Sequence, residues 1–292
     1  MFDSLRARLA RRWRARSMTR RLRELDRLDR SHGLGVPTGR PAAQKKPRRQ
    51  SNGTLPGLLV AGIIVAGVVA FSPGDTTGSL RSLIGWGPER LGAPPQVAHG
   101  EGTFTFMQTQ RNSREPVSYD PCKRIEYVIN PEGGPDNYRE LVDTAVRHTS
   151  EATGFRFEFQ GTSDRRDWEI GGIRGRNDPV LVGWATAEEY DRLSGDVAGV
   201  GGSLAVRDGT TTTLHYTTGR VVLDVDAFED LDTMREGALL GQAIVDHEFA
   251  HLVGLDHVQD ARELMNAENL GVTTYGPGDR EGLAALGGVP CT

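Results

Sequence analysis

His247-Glu248-Phe249-Ala250-His251-Leu252-Val253-Gly254-Leu255-Asp256-His257 reads H-E-x-x-H-x-x-G-x-x-H. The run ends a stretch, residues 236–253, whose apolar pattern predicts a helix. His247 and His251 are four apart, so a helix stacks both imidazoles on one face, one turn apart. Both can then reach a single ion. Glu248 follows the first ligand and is angled toward the position that three protein ligands leave open. A zinc ion held in this way acidifies its water to a pKa of about 7. Glu248 can take that water's proton during attack on a peptide carbonyl and pass it to the leaving amine. A helix continuing past His251 would carry later side chains away from the metal. Gly254 can adopt a positive φ without Cβ strain, so it can end the helix and turn the chain. His257 then arrives as the third ligand. Structural zinc sites are normally closed by four ligands, whereas three histidines leave the shell open. The expected constellation is one catalytic Zn2+ on His247, His251 and His257, with Glu248 as the base and Gly254 as structural support.

With these residues in place, the chain resembles the metzincin metallopeptidases, most closely the matrixins. The stretch H-E-F-A-H-L-V-G-L-D-H looks like the matrixin zinc motif, including Asp256 before the last histidine. Leu264-Met265-Asn266 places Met265 eight residues past His257 and looks like the family's Met-turn. By resemblance, Met265 is a hydrophobic support for the ligands rather than a ligand. Asp279-Arg280-Glu281-Gly282-Leu283 is similar to the start of the family's C-terminal helix. The resemblance implies an α+β fold: a mixed, mostly parallel five-stranded sheet with three helices and a substrate cleft beside the edge strand. That edge falls to residues 199–206, where an extended polypeptide substrate would pair by β-augmentation. The cysteine-bearing pro-segment motif of animal matrixins is absent. The family's structural zinc and calcium loop is not visible either, since His215 stands alone. Asp224, Asp226 and Glu229 could hold Ca2+ through hard oxygen ligands, or simply be strand-end and helix-start acids. Tyr275 lies too far past Met265 to match the tyrosine of other metzincins.

Charge divides the chain. Residues 1–54 hold 16 Lys/Arg against 4 Asp/Glu, and residues 72–292 hold 19 against 35. Such asymmetry implies two environments. Between them, residues 55–71 (LPGLLVAGIIVAGVVAF) carry no charge. The stretch reaches the lower limit of about 17 residues for a spanning helix. A cleaved signal peptide would have a much shorter charged region. The positive-inside rule then keeps the basic N-terminus in the cytoplasm. The expected organisation is a basic cytoplasmic tail (1–54), a transmembrane signal-anchor (55–71), a Gly/Pro-rich stalk or linker (72–100) and a metallopeptidase domain (101–292). The expected localisation is a single-pass cell-membrane protein with its catalytic domain extracellular.

Cys122 and Cys291 both fall in the acidic portion. An oxidising compartment favours a disulfide between them, which would tie the ends of the domain together. Cys122 as an inhibitory zinc ligand is the rival reading. Residues 1–30 suit either an amphipathic helix on an anionic leaflet or a solvated basic tail. Aromatic interleaving is nearly absent there, which argues against a nucleic-acid partner. Gly62, Ala66 and Ala70 recur at helix-pairing spacing, a weak hint of a homo-oligomer. The expected activity is a zinc-dependent endopeptidase that hydrolyses extracellular or cell-envelope proteins. The alternative is a metal-stabilised surface binding module with little turnover. Glu248 separates the two, because a purely structural site has no use for it.

Overall fold

The computed structural model describes residues 89–171, 177–207, 212–268 and 271–292. All of them belong to one unit, Pro73–Thr292. Its elements in chain order are β1 (Thr105–Phe106), β2 (Arg124–Asn130), α1 (Tyr138–Thr153), β3 (Arg156–Thr162) and β4 (Val180–Ala185). A 3-10 turn (Asp191–Leu193), β5 (Gly199–Arg207), β6 (Leu214–Asp224) and α2 (Val225–Asp232) follow. The chain closes with α3 (Gly237–Val253), β7 (Leu255–Asp256) and α4 (Pro277–Gly287).

Five strands form one mixed sheet in the order β3-β2-β4-β6-β5. The pairs β2/β3, β2/β4 and β4/β6 are parallel, and β5 runs antiparallel to β6 at one edge. Alternation along β4 explains the layering, because successive side chains point to opposite faces. Val180, Val182 and Trp184 join the main core with Phe249, Leu252 and Val253 of α3. Leu181 and Ala185 face a second cluster with Trp168, Tyr190, Leu193 and Val222. β4 is therefore buried throughout, as a central parallel strand covered on both faces should be. The Trp168 ring lies over Gly183, where a Cβ would come within 2.8 Å of it.

α1 ends at a glycine. Gly154 has φ 81°, and its N–H donates to Ser150 O. Cys122 and Cys291 form a disulfide with a Cα–Cα distance of 5.5 Å. It joins the turn before β2 to the residues after α4. Residues 89–100, read from sequence as linker, touch this unit: Leu91 N–H donates to Pro121 O at 3.1 Å, and Arg90 Nη2 donates to Val289 O at 2.6 Å.

Three expectations are corrected. The described residues hold four α-helices, not three. The additional one is α2, which forms because Asp224 caps it: Oδ2 accepts the Ala227 N–H at 3.0 Å, and Phe228 and Leu231 are buried. The apolar stretch 55–71 and the basic tail lie outside the described residues. Among the described residues no helix is long and apolar enough to cross a membrane. On that finding the expectation of one transmembrane helix is corrected. The single-pass cell-membrane localisation with an extracellular catalytic domain rested on it and falls with it.

Candidate metal centre

α3 carries His247 and His251 through the middle of the molecule. It is apolar nearly all round, and Phe249, Ala250, Leu252 and Val253 are fully buried around the histidines. A helix of that kind is a core element, which holds its polar residues rigidly. Each imidazole is oriented by a backbone carbonyl. His247 Nδ1 donates to Leu264 O at 2.8 Å, and His251 Nδ1 donates to Leu255 O at 2.8 Å. With Nδ1 carrying the proton, each Nε2 presents a bare lone pair.

Gly254 ends α3 with φ 122°. Its N–H is shared between Ala250 O and His251 O, both at 3.1 Å. Immediately beyond, β7 pairs antiparallel with β1, Leu255 opposite Phe106 and Asp256 opposite Thr105. That pairing extends the chain after the turn. Asp256 Oδ1 then accepts the His257 N–H at 2.8 Å. The result brings His257 Nε2 to 3.0 Å from His247 Nε2 and 3.1 Å from His251 Nε2.

Three imidazole nitrogens thus converge on one point, and the ligating atoms of all three lie within 4.8 Å of one another. A single N–H on His257 could satisfy only one of the two facing lone pairs. A cation among them satisfies all three. A tetrahedral zinc with bonds of about 2.0–2.1 Å spaces its nitrogens about 3.3 Å apart, close to what is seen. The donor set fits Zn2+.

Electrostatics agree with neutral ligands. Burial, with His257 close by, pulls His247 down to about 3, and His251 lies well below its usual value for the same reasons. Glu248 is buried, and burial pushes it up to about 8, opposed by the Gly201 N–H it accepts and by the charge of Arg192.

Met265 is buried in the main core one residue past Leu264. Val258 N–H donates to Met265 O at 3.0 Å, which closes the loop between His257 and the Met265 turn. Asp224, Asp226 and Glu229 are not among the groups of described residues with metal-holding geometry. Among the described residues, the only other group with metal-holding geometry is Asp120, Cys122 and Cys291, whose sulfurs are joined as the disulfide.

Several supporting residues carry no signal in sequence. The Leu255 and Leu264 carbonyls are backbone atoms. Asp279 stands three residues into α4 from its cap Gly276 and takes the Leu264 N–H at 2.6 Å. Tyr275 OH donates to Asp246 O at 2.8 Å, one residue before His247. Asp246 Oδ2 also meets His148 Nδ1 at 2.8 Å. A buried acid beside a ligand histidine was the available cue for that last contact.

No family model matches this chain, and no curated protein matches it. Among solved structures it is similar to archaemetzincin from Methanopyrus kandleri, at 15% identity and TM-score 0.33, over 55% of this chain and 93% of that one. It is also similar to a chain of the GM1-bound form of the ECX AB5 holotoxin, at 15% identity and TM-score 0.33, over 56% and 79%. At a TM-score of 0.33 neither overlap establishes a shared fold.

Proposed function

We propose that this chain is a zinc-dependent endopeptidase acting on polypeptides, with His247, His251 and His257 as the metal ligands and Glu248 as the proton acceptor. The observation that carries the reading is the convergence of three Nε2 atoms, two of them stripped of their protons by backbone carbonyls. When bound, Zn2+ would polarise the scissile carbonyl and acidify the attacking water. Glu248 accepts the water's proton and returns it to the departing amine. Leu264 O and Leu255 O keep His247 and His251 in the tautomer that ligates. Met265 and Gly254 support the constellation, one by packing and one by turning the chain.

The full chain, purified, should contain about one zinc per molecule and cleave an unfolded protein, and a chelator should stop it. Glu248→Ala should retain the metal and lose activity by orders of magnitude. Cleavage by Glu248→Ala at the wild-type rate would remove Glu248 from its role. A zinc-loaded wild type that holds peptides without cutting them would point instead to a metal-stabilised binding module.

A further inference from the structure

β5 lies against α3 at its glycine-rich start, Gly199-Val200-Gly201-Gly202. None of these three glycines has a positive φ, so backbone freedom does not explain them. Space explains two. A Cβ on Gly199 would lie 2.7 Å from Glu248 Cγ, 3.0 Å from Cδ and 3.1 Å from Oε1. A Cβ on Gly201 would lie 2.1 Å from the Glu248 carbonyl oxygen and 2.9 Å from its carbonyl carbon. Gly201 also donates its N–H to the Glu248 carboxylate. Gly202 differs, because nothing stands closer than Ile170 Cδ1 at 3.8 Å.

We infer that Gly199 and Gly201 are positioning residues for Glu248: their missing side chains make the slot in which its carboxylate is held, and the Gly201 amide orients it. The inference rests on the reading of Glu248 as proton acceptor. A glutamate has three rotatable bonds, and a free one would sample many positions. Here Gly199 closes over the methylene and carboxyl carbons while Gly201 brings the strand backbone directly onto the helix. The edge strand then sets where the proton goes. Displacement of a reacting group by about 1 Å can cost about 100-fold in rate.

Gly199→Ala is the selective probe, since the three atoms nearest its new Cβ all belong to the Glu248 side chain. In the full zinc-loaded chain it should lower kcat about 100-fold with KM and zinc content unchanged. Melting temperature supplies a second readout. Gly199→Ala should lower Tm by roughly 5 °C in the wild type and by nothing measurable in a Glu248→Ala background, where the crowded atoms are gone. Equal Tm losses in the two backgrounds, or an unchanged kcat in a chain that cleaves, would overturn the inference. If the wild type cleaves nothing, the endopeptidase reading fails, while the Tm comparison still decides whether Gly199 holds Glu248.

Discussion

Asp279 and His247, 32 positions apart in sequence, are joined through one residue. Asp279 Oδ2 accepts the Leu264 N–H at 2.6 Å, and the Leu264 carbonyl accepts His247 Nδ1–H at 2.8 Å. The first turn of α4 is thereby connected to a metal-facing imidazole of α3. Asp279 is fully buried and also takes the Gly276 N–H at 2.9 Å. It anchors the turn that carries Met265 and, through that turn, the tautomer of His247.

Removing this anchor should weaken the metal. Asp279→Ala frees Leu264 and lets its carbonyl drift from His247, and partners that orient a ligand are worth about 10–100-fold in metal affinity. Competition titration against a zinc-binding dye should show a loss in that range. An unchanged affinity would mean that the Leu264 carbonyl is held by other contacts.

The same carboxyl should leave a pH signature. Burial raises Asp279 from 3.8 to about 6; the Gly276 and Leu264 amides oppose the rise and Glu263 adds to it. The folded state therefore holds this proton more tightly than the unfolded chain. Its contribution to stability is full below about pH 4 and is lost as pH rises through about 6. The difference amounts to about 3 kcal/mol. Asp279→Asn removes the titration, so its penalty should be largest near pH 4 and smaller by about that amount at pH 7. Urea unfolding at the two pH values measures it, and a constant penalty would refute it.

Gly254→Ala should damage the fold and the site together. At φ 122° a side chain is strained, and its Cβ would press on Leu286 Cδ2 and Tyr216 Cε2, both at 3.1 Å. Strain of this kind costs on the order of 1–3 kcal/mol. Relief would come from rotating the turn, which moves His257 off the other two histidines. We expect a lower Tm and a zinc content well under one per chain. Full zinc occupancy in the variant would show that the turn tolerates other angles.

The disulfide should account for a large share of stability. Cys122 and Cys291 are 169 positions apart, and chain-entropy models assign a loop of that length about 5 kcal/mol. Replacing both by serine should lower the denaturant midpoint accordingly. A midpoint shift worth under about 1 kcal/mol would place the origin of end-to-end stability in the packing of α4 instead.

Parts of the molecule were legible because they are local. Helical spacing set His247 and His251 on one face, and Gly254 ended α3 with the positive φ that its position implied. Arg124–Asn130 (RIEYVIN) opens by alternating polar and apolar residues, and the burial of β2 alternates over its first four residues. α2 was not counted among the helices, although the acids at 224, 226 and 229 allowed a helix start there. The charge and hydropathy of residues 1–71 implied a spanning helix that the described structure does not carry.

The sequence by itself determined which atoms could bind a metal, because ligand type and spacing along one helix are local properties of a 3.6-residue repeat. Tertiary structure alone decided how those atoms are held. The Leu264 and Leu255 carbonyls, the Gly201 amide and the Asp279 carboxylate reach the site from other segments. Three of these four are backbone groups that every residue possesses, so no choice of side chain could announce them before the chain was folded.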